Sequence, residues 1–148
     1  MWRIDQQCFA PGIAYSQREL AAYIRRKGAF TIVAEQVGEQ REASIQGFIV
    51  AEARRAMGHI ISIDVLPNSQ RSGLGSKLLK AVEARLSALQ CRNVVLETAV
   101  DNIGALAFYK RHHYSLLKTS PRYYSNGVDA FVLGKNLDSA RDEALRPS

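Results

Sequence analysis

The chain has 148 residues, 47% of them hydrophobic and 23% charged, with a net charge of +6. That is enough chain for one buried core, its composition is ordinary for a globular protein, and no apolar run approaches the ~18 residues of a membrane-spanning helix. Cys8 and Cys91 stand far apart with no Cys or His at metal-ligand spacing, so a disulfide framework or zinc site has no support and both read as reduced thiols. Met1-Trp2-Arg3-Ile4-Asp5 opens no signal-like apolar segment, so a cytoplasmic location is expected. The positive balance favours an anionic partner, and charge alone does not choose among nucleic acid, a membrane surface and a polyphosphate cofactor.

Residues 4–9 read as a short helix. Ser16 and Glu19 form a capping box ahead of Leu20, Tyr23 and Ile24, which predicts a helix from about Ser16 to Lys27. Ala29 to Gln36 and Ser44 to Ala53 are rich in Ile, Val and Phe on either side of a polar Gly38–Glu42 turn, the pattern of an antiparallel hairpin. A third strand, His59 to Leu66, follows a turn at Arg55–Gly58 and stops at Pro67, which has no N–H to give to a ladder. From Leu74, the residues Leu78, Leu79, Val82, Leu86 and Leu89 recur on one face of an amphipathic helix, opposite Lys77, Lys80, Glu83 and Arg85. Asn93 to Thr98 reads as a buried strand, and Asp101 or Asn102 caps a helix running to about His112. Tyr114–Thr119 and Val128–Leu133 follow as strands around a Pro121–Gly127 loop, and the polar Asp138–Ser148 tail is expected to fray. There is no repeat or linker, so one domain over 1–148 is expected. This order describes an α/β mixed sheet with helices packed on it, in which the segments flanking the glycine helix are parallel neighbours.

Between the third strand and the amphipathic helix stands Gln70-Arg71-Ser72-Gly73-Leu74-Gly75. A glycine-containing turn entering a helix presents unpaired N–H groups at the positive end of the helix dipole, which suits a phosphate. Two nucleotide motifs fail on spacing: Gly75-Ser76-Lys77 has the wrong order for a Walker loop, and a dinucleotide fingerprint would need a third glycine at Leu78. By itself the turn is equally well a plain strand–helix connection.

The stretch Val65-x-Pro67-x-x-Gln70-Arg71-x-Gly73-x-Gly75, followed by Leu96-Glu97, Asn102 and Tyr109, resembles the GCN5-related N-acetyltransferase (GNAT) superfamily, whose signature is Gln/Arg-x-x-Gly-x-Gly/Ala. The likeness runs from about Ile4 to Leu137. Within the superfamily it is nearest to bacterial ribosomal-protein alanine N-acetyltransferases and relatives that acetylate protein N-termini, through Leu96-Glu97, Asn102 to Tyr109, and Arg122-Tyr123-Tyr124 with Gly127, Asp129 and Ala130. The resemblance implies a GNAT-like fold, a mixed and mostly antiparallel sheet with one splayed parallel pair, flanked by helices. It implies that the phosphate belongs to acetyl-coenzyme A, held at Gln70, Arg71, Ser72, Gly73, Leu74, Gly75 and Ser76, with the backbone of Ile63 and Val65 and the Asn102 side chain along the pantetheine arm. It further implies Glu97 as the base toward the incoming ammonium, Tyr109 as the acid toward the leaving thiolate, and Tyr123 and Tyr124 in the substrate slot. Transfer is then direct, without a cysteine nucleophile or a metal.

Plainer readings stand beside these. Glu97 also fits a solvated strand end, Tyr109 a core aromatic, and Tyr123-Tyr124 simple loop packing. Asp64 is the rival base, or a surface residue on an alternating strand. Lys110-Arg111 is a solvated face or, with Arg71 and Lys77, a partner for the cofactor's 3′-phosphate. Adjacent His112 and His113 point in different directions on a helix and have no third ligand, so no metal is expected. His113-Tyr114 stands where the family has Gly-Phe, which requires φ > 0 at His113, and Gly104 inside the same helix costs roughly 1 kcal/mol of propensity. The chain starts at the family's first helix, so the family's first strand is expected to be missing and the exposed edge makes a homodimer possible. The expected acceptor is the N-terminal amine of a protein or peptide. A small amine, or a coenzyme A-binding module without turnover, is the alternative. Nucleic acid and membrane are not expected as partners, because the basic residues are dispersed.

Overall fold

Runs of Ile, Val, Phe and Ala between Ala29 and Val65 build three successive strands, and Phe48, Ile49, Val50 and Ala51 are all fully buried, so β2 is covered on both faces. The computed structural model describes residues 28–37, 43–67 and 73–138. Its elements are β1 (Ala29–Val37), β2 (Ala43–Arg54), β3 (Met57–Val65), α1 (Leu74–Ala88), β4 (Asn93–Ala99), α2 (Ile103–Arg111), β5 (Ser115–Ser120) and β6 (Ala130–Asn136). The helices expected before residue 28, the Gly38–Glu42 turn, Gln70, Arg71, Ser72, Cys8 and the polar tail from 139 lie outside the described residues, and so does the question of a first strand.

One six-stranded sheet has the order β1-β2-β3-β4-β6-β5. Among the described strands only β3 and β4, on either side of α1, run parallel. The mixed, mostly antiparallel sheet with one parallel pair is therefore the one expected. β6 begins at Ala130 rather than Val128, because the Val128 carbonyl accepts the Tyr124 N–H at 3.2 Å and so belongs to the preceding turn.

α1 lays Leu78, Leu79, Val82 and Leu86 on the sheet against Ile49, Ala51, Ile60, Val94 and Leu96, and Tyr109, Tyr114 and Leu133 extend the same cluster. Each fully buried leucine contributes about 2 kcal/mol by apolar burial. Gly58 makes this possible beneath Leu86, since a Cβ there would come within 2.7 Å of Leu86 Cδ1. Leu89, expected on the buried face, lies one residue past the helix and is 48% exposed. A polar clamp closes the end of the core. The Tyr114 hydroxyl donates to Glu83 Oε2 at 2.7 Å and Lys135 Nζ donates to Glu83 Oε1 at 2.9 Å, joining α1, β6 and the residue leading into β5.

The pairing of β2 with β3 shifts between Val50 and Ala51: Val50 faces Ser62 and Ala51 faces Ile60, which leaves Ile61 as an extra residue. A bulge bends its strand and increases the local twist. It falls at the point where the parallel ladder ends.

Candidate active site

β3 and β4 pair only from Met57–Ile60 against Asn93–Leu96. Beyond that register the strands part, and the gap is a cavity of about 640 Å³ with Ile63, Asp64 and Val65 on one wall and Glu97, Thr98 and Ala99 on the other. This is the splay expected of the parallel pair. Gly73, Gly75 and Ser76 of the glycine turn line it as well, together with Asn102, Tyr109 and Tyr124.

Gly73 caps α1 with φ 82, a conformation that glycine adopts without strain. The first described hydrogen bond of the helix is Lys77 N–H to Gly73 O at 3.1 Å, so the amides of Leu74, Gly75 and Ser76 have no acceptor inside the helix. No acidic residue occupies the first turn. Three free donors and an uncompensated positive dipole end make this turn fit an anion. Asn102 caps α2, its side-chain oxygen accepting the Ala105 N–H at 3.1 Å, and the residue lines the cavity. His113 takes φ 69, so the turn after α2 keeps the left-handed geometry that the family's glycine would supply. Gly104 lies in the first turn of α2 with nothing near its missing Cβ, and it too borders the cavity.

Glu97 is not a free strand-end side chain. His59 Nε2 lies 2.7 Å from Glu97 Oε2, and both groups are part-buried. The sequence reading did not single out His59. Parity puts His59 on the face opposite Gly58 and Ile60, but only the parallel register, with His59 opposite Val95, brings it to Glu97. Asp64 is 1% exposed and accepts from the Ser62 hydroxyl at 2.8 Å, so the surface reading of Asp64 is wrong. The bulge at Ile61 turns the strand so that Asp64 lies opposite Phe48 on a buried face.

Tyr109 is buried against Phe108 and Tyr114, with ring centroids 5.2 and 5.5 Å away. Burial, then the charge of Asp64, then Tyr124 push its phenol well above the ordinary tyrosine value, so it holds its proton. Tyr124 is likewise pushed up, first by burial and then by Tyr123, Glu97 and Asp101. Tyr123 is 38% exposed, stays off the cavity wall and packs edge-on against Tyr124 at 4.9 Å. Arg111 reaches the cavity rim while Lys77 and Lys110 are exposed. Cys91 lies in the core under α1, its thiol pushed up by burial and away from the cavity. Among the described residues no cluster of His, Cys, Asp and Glu is arranged to hold a metal ion, and no helix is long and apolar enough to cross a membrane.

A family model described as the acetyltransferase (GNAT) family matches residues 1–114. An uncharacterized N-acetyltransferase of Methanocaldococcus jannaschii is 34% identical over 101 residues, 68% of this chain and 65% of that protein. An N-alpha-acetyltransferase of Sulfurisphaera tokodaii is 35% identical over 81 residues, 54% of this chain and 48% of that protein. The matches thus span about half to two thirds of the length of these curated relatives. The crystal structure of the ribosomal-protein-S18-alanine N-acetyltransferase from Escherichia coli superposes with a TM-score of 0.78 at 22% identity, covering 92% of this chain and 84% of that one, which is a likeness of fold. With the family model covering residues 1–114 and a parted parallel pair above a glycine turn, the chain belongs to the GNAT acetyltransferase family.

Proposed function

We propose that the chain transfers an acetyl group from acetyl-coenzyme A directly to a primary amine, the N-terminal α-amino group of a protein or peptide. The observation that carries this reading is the single cavity on which the anion turn, Glu97 and Tyr109 converge. Its volume is that of a small-molecule site. The peptide acceptor is supported by the N-alpha-acetyltransferase name of the matched relative.

Bound acetyl-coenzyme A supplies a thioester open to attack by an amine. The amides of Leu74, Gly75 and Ser76, with Gln70, Arg71 and Ser72, hold its pyrophosphate, while the β3 backbone at Ile63 and Val65 and the Asn102 side chain lie along the arm. Glu97 accepts the proton of the ammonium. His59 donates to Oε2 and fixes the carboxylate, so Oε1 remains for the substrate. A part-buried carboxylate next to the reacting centre is effective because the amine attacks only when neutral. Tyr109, kept protonated, donates to the departing sulfur, and Tyr124 with Tyr123 behind it walls the acceptor side. Each carboxylate has an oxygen engaged, but Asp64 is 1% exposed whereas the Glu97 side chain keeps 18% exposure, so Glu97 is the more accessible base.

The test is acetyl-coenzyme A with a panel of free N-terminal peptides, the same peptides blocked at the N-terminus, and free polyamines and amino acids, read by mass spectrometry. One acetyl group on the α-amine of the unblocked peptides is the expected product, and Glu97→Gln should lose on the order of 10²-fold in turnover at neutral pH. The deficit should shrink above about pH 8, where the α-amine is already neutral. Turnover of free amines alone removes the peptide acceptor, and a pH-independent deficit removes Glu97 as base.

A further inference from the structure

Ser76 and His112 are 36 residues apart, yet Ser76 Oγ lies 2.8 Å from His112 Nε2. Ser76 is the third residue of α1, lines the cavity, and carries one of the three amides without an acceptor inside the helix. His112 is the C-cap of α2. Its ring lies 4.9 Å from that of Phe108, and Phe108 in turn covers Gly75 at 3.6 Å from where a Cβ would sit. The imidazole is thus held from its own helix and aimed at the hydroxyl of the anion turn. Neither residue has a part in the chemistry described above for Glu97 and Tyr109.

A serine hydroxyl has one proton to give. If Ser76 donates to a bare Nε2, that proton is not available to a ligand in the cavity. If Nε2 carries a proton and donates to Oγ, the hydroxyl proton is free to point at an anion. A neutral imidazole permits both arrangements, whereas an imidazolium permits only the second and adds a positive charge one residue from the turn. The negative end of the α2 dipole also favours a cation at this cap.

We propose that His112 is a positioning residue of the anion turn: it donates to Ser76 Oγ, directs the hydroxyl proton at the pyrophosphate of coenzyme A, and takes up a proton as the cofactor loads. The proposal rests on the acetyl-coenzyme A reading of the cavity. In the ligand-free chain burial holds the imidazole below its ordinary value of 6.5, Glu83 on α1 works against this, and Lys135 on β6, Lys80 on α1 and Arg111 on α2 reinforce it. A bound pyrophosphate adds negative charge and raises that value. Affinity therefore grows as pH falls from the value in the loaded state to the lower value in the free state, and levels off beneath it.

The experiment is calorimetric titration of the purified chain with dephospho-coenzyme A between pH 5.5 and 8, in buffers of different ionisation enthalpy. This probe lacks the 3′-phosphate, whose own second ionisation near pH 6 would obscure the effect. The expected result is an affinity at least about threefold tighter at pH 5.5 than at pH 8, the equivalent of half a pKa unit, with net proton uptake on binding. His112→Asn should abolish the pH dependence and the proton uptake, Ser76→Ala should reduce both to the part that the imidazolium charge supplies through space, and the double variant should behave as His112→Asn does. Ser76→Ala keeps the imidazole and its packing, so the proposal stands or falls on it should His112→Asn not fold. Equal pH dependence and proton uptake in wild type and Ser76→Ala overturn the proposal alone. No binding of dephospho-coenzyme A or of coenzyme A by the wild type overturns the cofactor reading as well.

Discussion

Tyr109 illustrates how little a side chain's chemistry owes to its own identity. On an amphipathic helix it is as suited to a core as to an acid, and it is in the core, with Phe108 and Tyr114 against its ring. Its environment keeps the phenol protonated, since burial and then the charge of Asp64 penalise the phenolate. The ordinary tyrosine value is about 10, and this one lies above it, so the phenol does not titrate across the working range. Tyr109→Phe should therefore lower kcat by a nearly constant factor, on the order of 10², from pH 6 to pH 9.5, with coenzyme A affinity little changed. Rate measurements across that range check it; a ratio that shrinks toward alkaline pH would mean the phenol is not the acid. Glu97 was named by the family resemblance, its place at a strand end being equally that of a solvated residue. Its partner His59 was not, because the two meet only when β3 and β4 are laid parallel in a particular register.

The strand–turn–helix unit separates two kinds of glycine. A Cβ at Gly75 would lie 3.6 Å from Phe108, an ordinary contact, whereas at Gly47 it would lie 2.8 Å from the Asp64 carbonyl oxygen across the β2–β3 ladder. A backbone atom cannot step aside as a flexible side chain does. Gly47→Ala should thus cost about 2 to 3 kcal/mol and part the strand that carries Asp64 and Val65, while Gly75→Ala should fold with near-normal stability. Urea denaturation of the two variants tests the contrast, and equal midpoints would refute it. The sequence marked Gly73 and Gly75 through the turn chemistry and the signature around them. Gly47 sits in an apolar strand pattern with nothing to distinguish it, since the crowding comes from a neighbour seventeen residues away. The strands themselves were visible through composition and turn signals, with ends off by one to three residues where a carbonyl such as that of Val128 is used by a turn instead of the ladder.

In the molecule as a whole, Glu83 ties the helix that forms the anion turn to the far strands, accepting from both Tyr114 and Lys135. Both ends of the ion pair are mostly buried, at 13% and 14% side-chain exposure, so removing the carboxylate leaves a desolvated ammonium and a phenol without their acceptor. Glu83→Ala should destabilise the fold by about 2 to 4 kcal/mol, and pairing it with Lys135→Met should recover part of that. Thermal and urea unfolding of the single and double variants measure it. A loss below about 0.5 kcal/mol would mean the clamp behaves as an exposed pair. From the sequence Glu83 was one of four polar residues on the solvent side of α1, and nothing in helical periodicity separates it from Lys77 or Lys80.

Local chemistry settled the order of the described strands and helices and marked the glycine turn, because period, caps and glycine act over a few residues, and the resemblance supplied the family. The resemblance carried Glu97, Asn102 and Tyr109 to one site, and the fold brings all three to one cavity. Long-range pairing supplied the rest. The bulge at Ile61, the end of the parallel ladder at Ile60, the burial of Asp64, the His59–Glu97 contact and the Ser76–His112 contact each depend on how segments tens of residues apart are registered and packed. Such contacts are properties of the packed sheet and helices, and no local pattern encodes them.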